Sequence, residues 1–154
     1  MSMRWFVAVA FVVMLAGLAG LPEARGAERV FYVLGAEPKG TAAAAKEPFP
    51  QAKLPAGPGM VLKAPDAKGD WQVSAYVFLP AQIVVRKGDD VTLHFVGIHG
   101  SLHTLAVEHY QTQGVKLRRG HVETMRFKAD RAGVFRIICA EHQPTMNGEL
   151  IVQD

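Results

Sequence analysis

The sequence predicts an all-β protein, an antiparallel β-sandwich of seven to eight short strands. Three observations support this fold class. Apolar and polar residues alternate with a period of two through most of the chain after residue 70. Turn residues recur about every eight to twelve positions between the alternating segments. No segment of that region has the apolar spacing of an amphipathic helix.

The first 26 residues have the features of a signal peptide and are set apart from the fold. Arg4 precedes an uncharged apolar run from Trp5 to Leu21, and small residues surround a cut point after Gly26. This order is typical of a secretory signal. The run of 17 residues is also at the lower limit for crossing a bilayer, so a retained membrane anchor stays an alternative. Both interpretations place the folded part outside the cytoplasm, and the periplasm is the predicted location.

Residues 27–70 are expected to form an N-terminal strand and then an arm. The apolar stretch Val30–Leu34 predicts the strand. Six prolines and a run of four alanines follow between Gly35 and Asp70. Such a segment buries little apolar surface, so it is expected to be a loop or a partly mobile arm. An arm that wraps the domain is the alternative.

Residues 71–154 form the predicted sandwich domain. A charged turn, Arg86–Asp90, separates two alternating strands, and a second turn, Ala129–Gly133, separates two more. We interpret the second turn as the tip of a hairpin, which would place Cys139 opposite Glu123. The last strand is expected from Gly148 to Val152.

Charge and motif content exclude several function classes. A single Cys excludes an internal disulfide, so the thiol is either unpaired or a ligand. No P-loop, GxSxG or HExxH motif is present, which leaves nucleotide hydrolysis, serine hydrolysis and zincin chemistry without support. The net charge of +3 falls to +2 once Arg4, Arg25 and Glu23 are removed with the signal. Nucleic acid is therefore not expected as a partner.

The segment from Cys139 to Met146 has the pattern C-x2-H-x3-M, with His142 between its ends. A thiolate, an imidazole and a thioether are soft or borderline donors, and together they suit copper. Zinc, calcium and magnesium fit a Met-containing set less well. The alternative is structural, because a buried Cys is often a small apolar residue and Met often fills gaps in a core.

The segment Asp90–Asp154 resembles the cupredoxins, the mononuclear blue-copper proteins. The resemblance rests on the Cys-His-Met loop and on a His that precedes it at the start of a strand. It implies a Greek-key sandwich and one copper ion bound by His103, Cys139, His142 and an axial Met146. The run Val115–Cys139 is also similar to nitrosocyanin and to the copper domains of nitrous oxide reductase and cytochrome oxidase subunit II. The binuclear centre of those two enzyme domains needs two cysteines and is excluded by the single Cys.

The identity of the first His depends on strand parity. His103 shares the inward parity of Leu105 and opens its strand, so it is the favoured ligand. His121 is the alternative ligand, at the same end of the sandwich. Of the remaining histidines, His99 is expected near the site without binding, His94 on the surface, and His109 at the far end of its strand.

The resemblance implies an electron-transfer protein rather than an enzyme. In that family the second His, here His142, is the usual electron port. Thr104 is expected to hydrogen-bond across to the Cys loop. Exposed cations (Lys116, Arg118 and Arg119) are expected near the metal end, either as an ordinary polar loop or as a rim that steers an acidic redox partner. The expected partners are c-type cytochromes or a terminal oxidase or reductase. A copper-handling protein and a small open-site copper enzyme of nitrosocyanin type are the alternatives.

Overall fold

A computed structural model describes residues 26–55 and 57–154. The predicted signal peptide, apart from Gly26, lies outside the described residues. Within them there is no helix, and therefore none that is long and apolar enough to cross a membrane. The strands are β1 (Glu28–Ala36), β2 (Lys39–Ala43), β3 (Met60–Lys63), β4 (Asp70–Ala75), β5 (Val77–Leu79), β6 (Gln82–Arg86), β7 (Asp90–Gly97), β8 (Leu102–Val107), β9 (Gln111–Arg118), β10 (Val122–Lys128), β11 (Gly133–Cys139) and β12 (Asn147–Gln153).

Two main sheets enclose one apolar core, which confirms the all-β sandwich. The first sheet has the order β10-β7-β1-β5 and the second has the order β6-β12-β11-β8-β9. Alternate residues of β7 and β8 are buried, as the period of two predicts. The core takes side chains from both sheets, among them Val33, Leu93, Phe95, Leu105 and Ile137.

The pairing differs from the prediction in strand number and direction. The described residues form twelve strands rather than seven to eight. Two neighbouring pairs, β1 with β7 and β6 with β12, are parallel, so both main sheets are mixed rather than antiparallel. Alternation reports which face of a strand is buried and carries no information on the direction of its neighbour. The direction therefore could not be obtained from the apolar pattern.

The predicted hairpin between β10 and β11 is wrong. Glu123 pairs with Phe95 of β7, and Cys139 pairs with Leu105 of β8. The two strands lie in different sheets, and the connection that includes the buried Ala129 carries the chain across the core. A short turn between two alternating segments is compatible both with a hairpin and with a switch of sheet.

The arm is more ordered than the loop predicted from its prolines. β2 and β3 lie within it, and both pair with β4 in a separate three-stranded sheet. The Trp71 indole donates a hydrogen bond to the Glu47 carbonyl at 2.7 Å. Backbone pairing stabilises this sheet with few buried side chains, which is why the composition pointed to a loop.

Candidate metal centre

Three chain segments bring the predicted ligands together at one end of the second sheet. His103 is the second residue of β8, and its inward parity makes it fully buried. Cys139 is the last residue of β11 and pairs with Leu105, two positions after His103. His142 follows in the loop that leads to β12. The strand pairing therefore sets the first His beside the Cys, and the short loop returns the second His to the same place.

The donor atoms of these three side chains lie at separations that suit a metal ion. Cys139 Sγ is 3.5 Å from His103 Nδ1 and 3.3 Å from His142 Nδ1. All three donor atoms lie within 4.8 Å of one another. An ion bound about 2.0–2.3 Å from a sulfur and a nitrogen separates them by about 3.4–3.8 Å in tetrahedral or trigonal geometry. The group could hold a metal ion, and its thiolate and imidazoles suit copper.

The orientation of the His103 ring is fixed by a hydrogen bond to the chain. Its Nε2 lies 2.6 Å from the carbonyl oxygen of His99, so that nitrogen carries the proton. Nδ1 is then left with a free lone pair on the Cys139 side. The His99 ring accepts a hydrogen bond from the Glu37 amide at 3.1 Å. His99 therefore lies beside the site and orients a predicted ligand through its backbone.

Met146 is buried at the same end of the core. Its amide donates to the His142 carbonyl at 3.0 Å, and its carbonyl accepts from the Cys139 amide at 3.2 Å. A Cβ placed on Gly35 would lie 3.2 Å from Met146 Cε and 3.7 Å from His103 Nε2. The end of the Met146 side chain and the His103 ring thus border one position on β1. The axial role of Met146 stays a prediction.

Burial opposes charge on two of the three donor groups, the Cys139 thiol and the His142 ring. It raises the pKa of the Cys139 thiol to about 11, so the thiol holds its proton at neutral pH. Burial also lowers the pKa of His142, and the nearby His103 lowers it further. A metal must displace the thiol proton, whereas the lowered pKa of His142 favours the neutral ring that binds metal.

The arm covers the ligand loop, a contact that sequence reasoning missed. The Gly59 amide donates to the Gln143 carbonyl at 3.0 Å, and Thr145 Oγ1 donates to the Gly59 carbonyl at 2.7 Å. A Cβ on Gly59 would lie 2.2 Å from the His142 carbonyl oxygen, so this approach needs a glycine. The loop that carries His142 is therefore held by a segment more than 80 residues away in the chain.

Tyr76 lies on His142, and sequence reasoning missed this residue as well. The two rings stack with centroids 3.8 Å apart and an interplanar angle of 30°. Burial raises the pKa of Tyr76, and the negative charge of Glu37 raises it further. Tyr76 stands between β4 and β5. The sequence around it carried no signal of which ring it would cover.

The carboxylate of Glu141, which lies between Cys139 and His142 in the sequence, is a third residue that sequence reasoning missed. Thr104 donates from its amide to Glu141 Oε2 and from its hydroxyl to Glu141 Oε1, both at 2.5 Å. The predicted hydrogen bond from Thr104 to the Cys loop is therefore confirmed. Burial alone would raise the pKa of Glu141, but the hydrogen bonds from Thr104 outweigh it and hold that pKa below its ordinary value.

The other three described histidines lie outside the donor group. His121 is exposed, and its carbonyl accepts from the Gly97 amide at 3.0 Å. His94 is half-buried and stacked on Tyr32, so it is less solvated than predicted. His109 is paired with Asp130 at 3.0 Å. Among the described residues, the His-Cys-His group is formed by His103, Cys139 and His142.

Comparisons with known proteins show relatives at the level of the fold. No family model matches the chain, and no curated protein sequence matches it significantly. A copper nitrite reductase from Nitrosomonas europaea aligns with 82% of this chain and 41% of its own, at 18% identity and a TM-score of 0.52. A laccase from B. aclada aligns with 84% of this chain and 23% of its own, at 12% identity and a TM-score of 0.53.

A smaller protein is also similar over part of the chain. Auracyanin A, a blue copper protein from Chloroflexus aurantiacus, aligns with 50% of this chain and 89% of its own, at 17% identity and a TM-score of 0.43. The chain spans less than half of the nitrite reductase and the laccase, so these likenesses concern the domain fold and not the reactions of those enzymes. The chain therefore has a cupredoxin-like fold, with a His-Cys-His group that could bind copper.

Proposed function

We propose that this chain is an exported one-electron carrier with a mononuclear copper centre. His103, Cys139 and His142 would hold the ion, and Met146 would be its weak axial ligand. The observation that carries the proposal is the approach of two imidazole nitrogens to one buried sulfur, at 3.5 and 3.3 Å. When bound, copper supplies a one-electron couple between Cu(I) and Cu(II).

Contacts within the protein restrict the movement of the ligand side chains. The His99 carbonyl fixes the ring of His103, and the ring of Tyr76 packs against His142. Gly59 holds the backbone of the ligand loop at Gln143, directly after His142. Side chains fixed in this way change position little when the charge at the centre changes, which favours rapid electron transfer. The buried Leu105 and Met146 exclude water from the same end of the core.

The same contacts favour a carrier over an open-site enzyme. An enzyme of that type needs a coordination position that an external ligand can reach. Here the arm lies on the ligand loop, Tyr76 stacks on His142, and Met146 is fully buried. A copper-handling protein would also need ligands that exchange readily with a partner, and these contacts disfavour that role.

The proposed partners are c-type cytochromes or a terminal oxidase or reductase. Lys116, Arg118 and Arg119 are exposed on β9 and the turn that follows it. The Gly120 amide in that turn donates to the Gly97 carbonyl at 2.7 Å, which ties the turn to the segment that leads to His103. A basic surface there would steer a partner with an acidic docking face. Export follows from the signal peptide proposed for residues 1–26.

Redox titration of the copper-loaded mature domain, followed by addition of azide, tests the carrier role. We expect a reversible one-electron couple and a visible spectrum that azide leaves unchanged. An azide-dependent change of the charge-transfer bands would favour an open-site enzyme instead. Rapid loss of Cu(I) to a chelator of moderate affinity would favour copper handling.

A further inference from the structure

Glu141 makes a two-point contact with the residue that follows His103. The Thr104 amide donates to Oε2 and the Thr104 hydroxyl donates to Oε1, each at 2.5 Å, so both carboxylate oxygens are engaged. The Ala140 amide also donates to the Thr104 carbonyl at 3.0 Å. Hydrogen bonds to an ionised acceptor are short and roughly twice as strong as neutral ones. Together these contacts join the Cys139–His142 loop to β8.

The same carboxylate lies against the sulfur. Glu141 Oε2 is 3.6 Å from Cys139 Sγ. An ionised carboxylate only accepts hydrogen bonds, so it cannot donate one to a thiolate. Its negative charge next to the sulfur stabilises the more positive of two oxidation states bound there, by an amount that grows as the site is more buried.

The charge of Glu141 is not neutralised by a nearby cation. Glu37, the other carboxylate at this end of the core, forms a salt bridge with Lys39 at 3.0 Å. The salt bridges formed within the described part of the chain do not include Glu141. The donors from other residues that contact the Glu141 carboxylate are the amide and hydroxyl of Thr104 and the Cys139 thiol, and these neutral groups leave its net charge in place.

We propose that Glu141 is a positioning residue that ties the ligand loop to β8 and, by its charge beside Cys139 Sγ, lowers the reduction potential of the centre. The inference rests on the proposed copper site. It concerns a side chain outside the ligand set and gives that side chain two separable effects, one on loop position and one on the oxidation state that the site prefers.

The variant Glu141→Gln tests the effect of charge. The amide keeps the shape and one acceptor oxygen but has no charge, so the copper-loaded variant is expected to keep its thiolate charge-transfer band. Its preference for Cu(II) over Cu(I) should fall about tenfold, which for a one-electron couple is a rise of about 59 mV in potential. Glu108→Gln is the matched control, because it makes the same change just beyond the end of β8, about 13 Å along the chain from Thr104.

The metal-free protein tests the effect on position. In ¹H–¹⁵N NMR spectra, the short bond to a carboxylate should place the Thr104 amide proton far downfield, and Glu141→Gln should move it upfield. If Glu141→Gln fails to fold, Thr104→Val removes one donor and keeps the charge. It should raise the exchange rate of the amide proton at position 104 without raising the potential, and Thr104→Ser should restore the slow exchange.

Several outcomes would overturn the inference. A reduction potential in Glu141→Gln that equals that of Glu108→Gln, or lies below it, would show that the charge of Glu141 has no such effect. A Thr104 amide proton shift that is unchanged in Glu141→Gln would show that the contact does not form. If the reduction potential rises as much in Thr104→Val as in Glu141→Gln, then the position of the loop, and not the charge of Glu141, controls the potential. A wild-type protein without a charge-transfer band would contradict the proposed function, while the amide shift would still decide whether the contact exists.

Discussion

The chemistry of the candidate site depends most on the buried thiol of Cys139. It is fully buried, and the cost of placing a charge there raises its pKa to about 11. The neighbouring carboxylate of Glu141 adds to that cost. The pattern C-x2-H-x3-M was enough to predict that Cys139 and His142 meet. The roles of Glu141 and Tyr76 could not be predicted, since their contacts depend on Thr104 and His142 being brought to them by the fold.

The raised pKa of the Cys139 thiol predicts a pH dependence of copper binding. The thiol is protonated at neutral pH and binds metal as thiolate, so Cu(I) uptake releases one proton. The apparent affinity should therefore rise about tenfold per pH unit between pH 7 and 9, where the lowered pKa of His142 keeps that ring neutral. Competition with a Cu(I) chelator at several pH values measures this slope.

The variant Cys139→Ser is the control for that slope. It should bind Cu(I) more weakly and with little dependence on pH over the same range. A pH-independent affinity in the wild-type protein would mean that the thiol gives up no proton, which contradicts a thiolate ligand.

At the scale of elements, the site is the meeting point of β8, β11, the ligand loop and the arm. The parity of β8 predicted that His103 points inward, because Leu105 and Val107 share its face. The proline content of the arm predicted a loop. This prediction is wrong at β2 and β3, because both strands pair with β4. The contact of Gly59 with the ligand loop is between residues distant in sequence, so no local pattern could indicate it.

The close contact at Gly59 predicts that a methyl group there separates the arm from the ligand loop. In Gly59→Ala the new Cβ would lie 2.2 Å from the His142 carbonyl oxygen and 2.6 Å from Thr145 Oγ1. We expect a loss of about 1–3 kcal/mol in the free energy of unfolding, as for other overpacked sites. Urea unfolding of the metal-free protein measures it.

Gly40→Ala is the matched control on the same arm. Its Cβ would make only an ordinary contact, 3.6 Å from Val73 Cγ1. Equal stability of the two variants would argue that the arm is not seated on the ligand loop.

At the scale of the whole molecule, burial was more predictable than pairing. The alternating pattern gave the correct fold class, since inward residues of both sheets form one core. It could not give the parallel pairing of β1 with β7 and of β6 with β12. It also made β10 and β11 look like a hairpin, although the connection at the buried Ala129 carries the chain from one sheet to the other. Direction and sheet membership are set by contacts across the core, which one strand's pattern does not encode.

The proposed function requires that Cys139 bind copper as a thiolate in a mononuclear site. The most direct test is the optical and EPR spectrum of the mature domain loaded with Cu(II), recorded beside that of Cys139→Ser. We expect one copper ion per chain, an intense thiolate-to-copper charge-transfer band in the visible region, and loss of that band in the variant. Copper that binds with no such band, or with a band that survives in Cys139→Ser, would contradict the account.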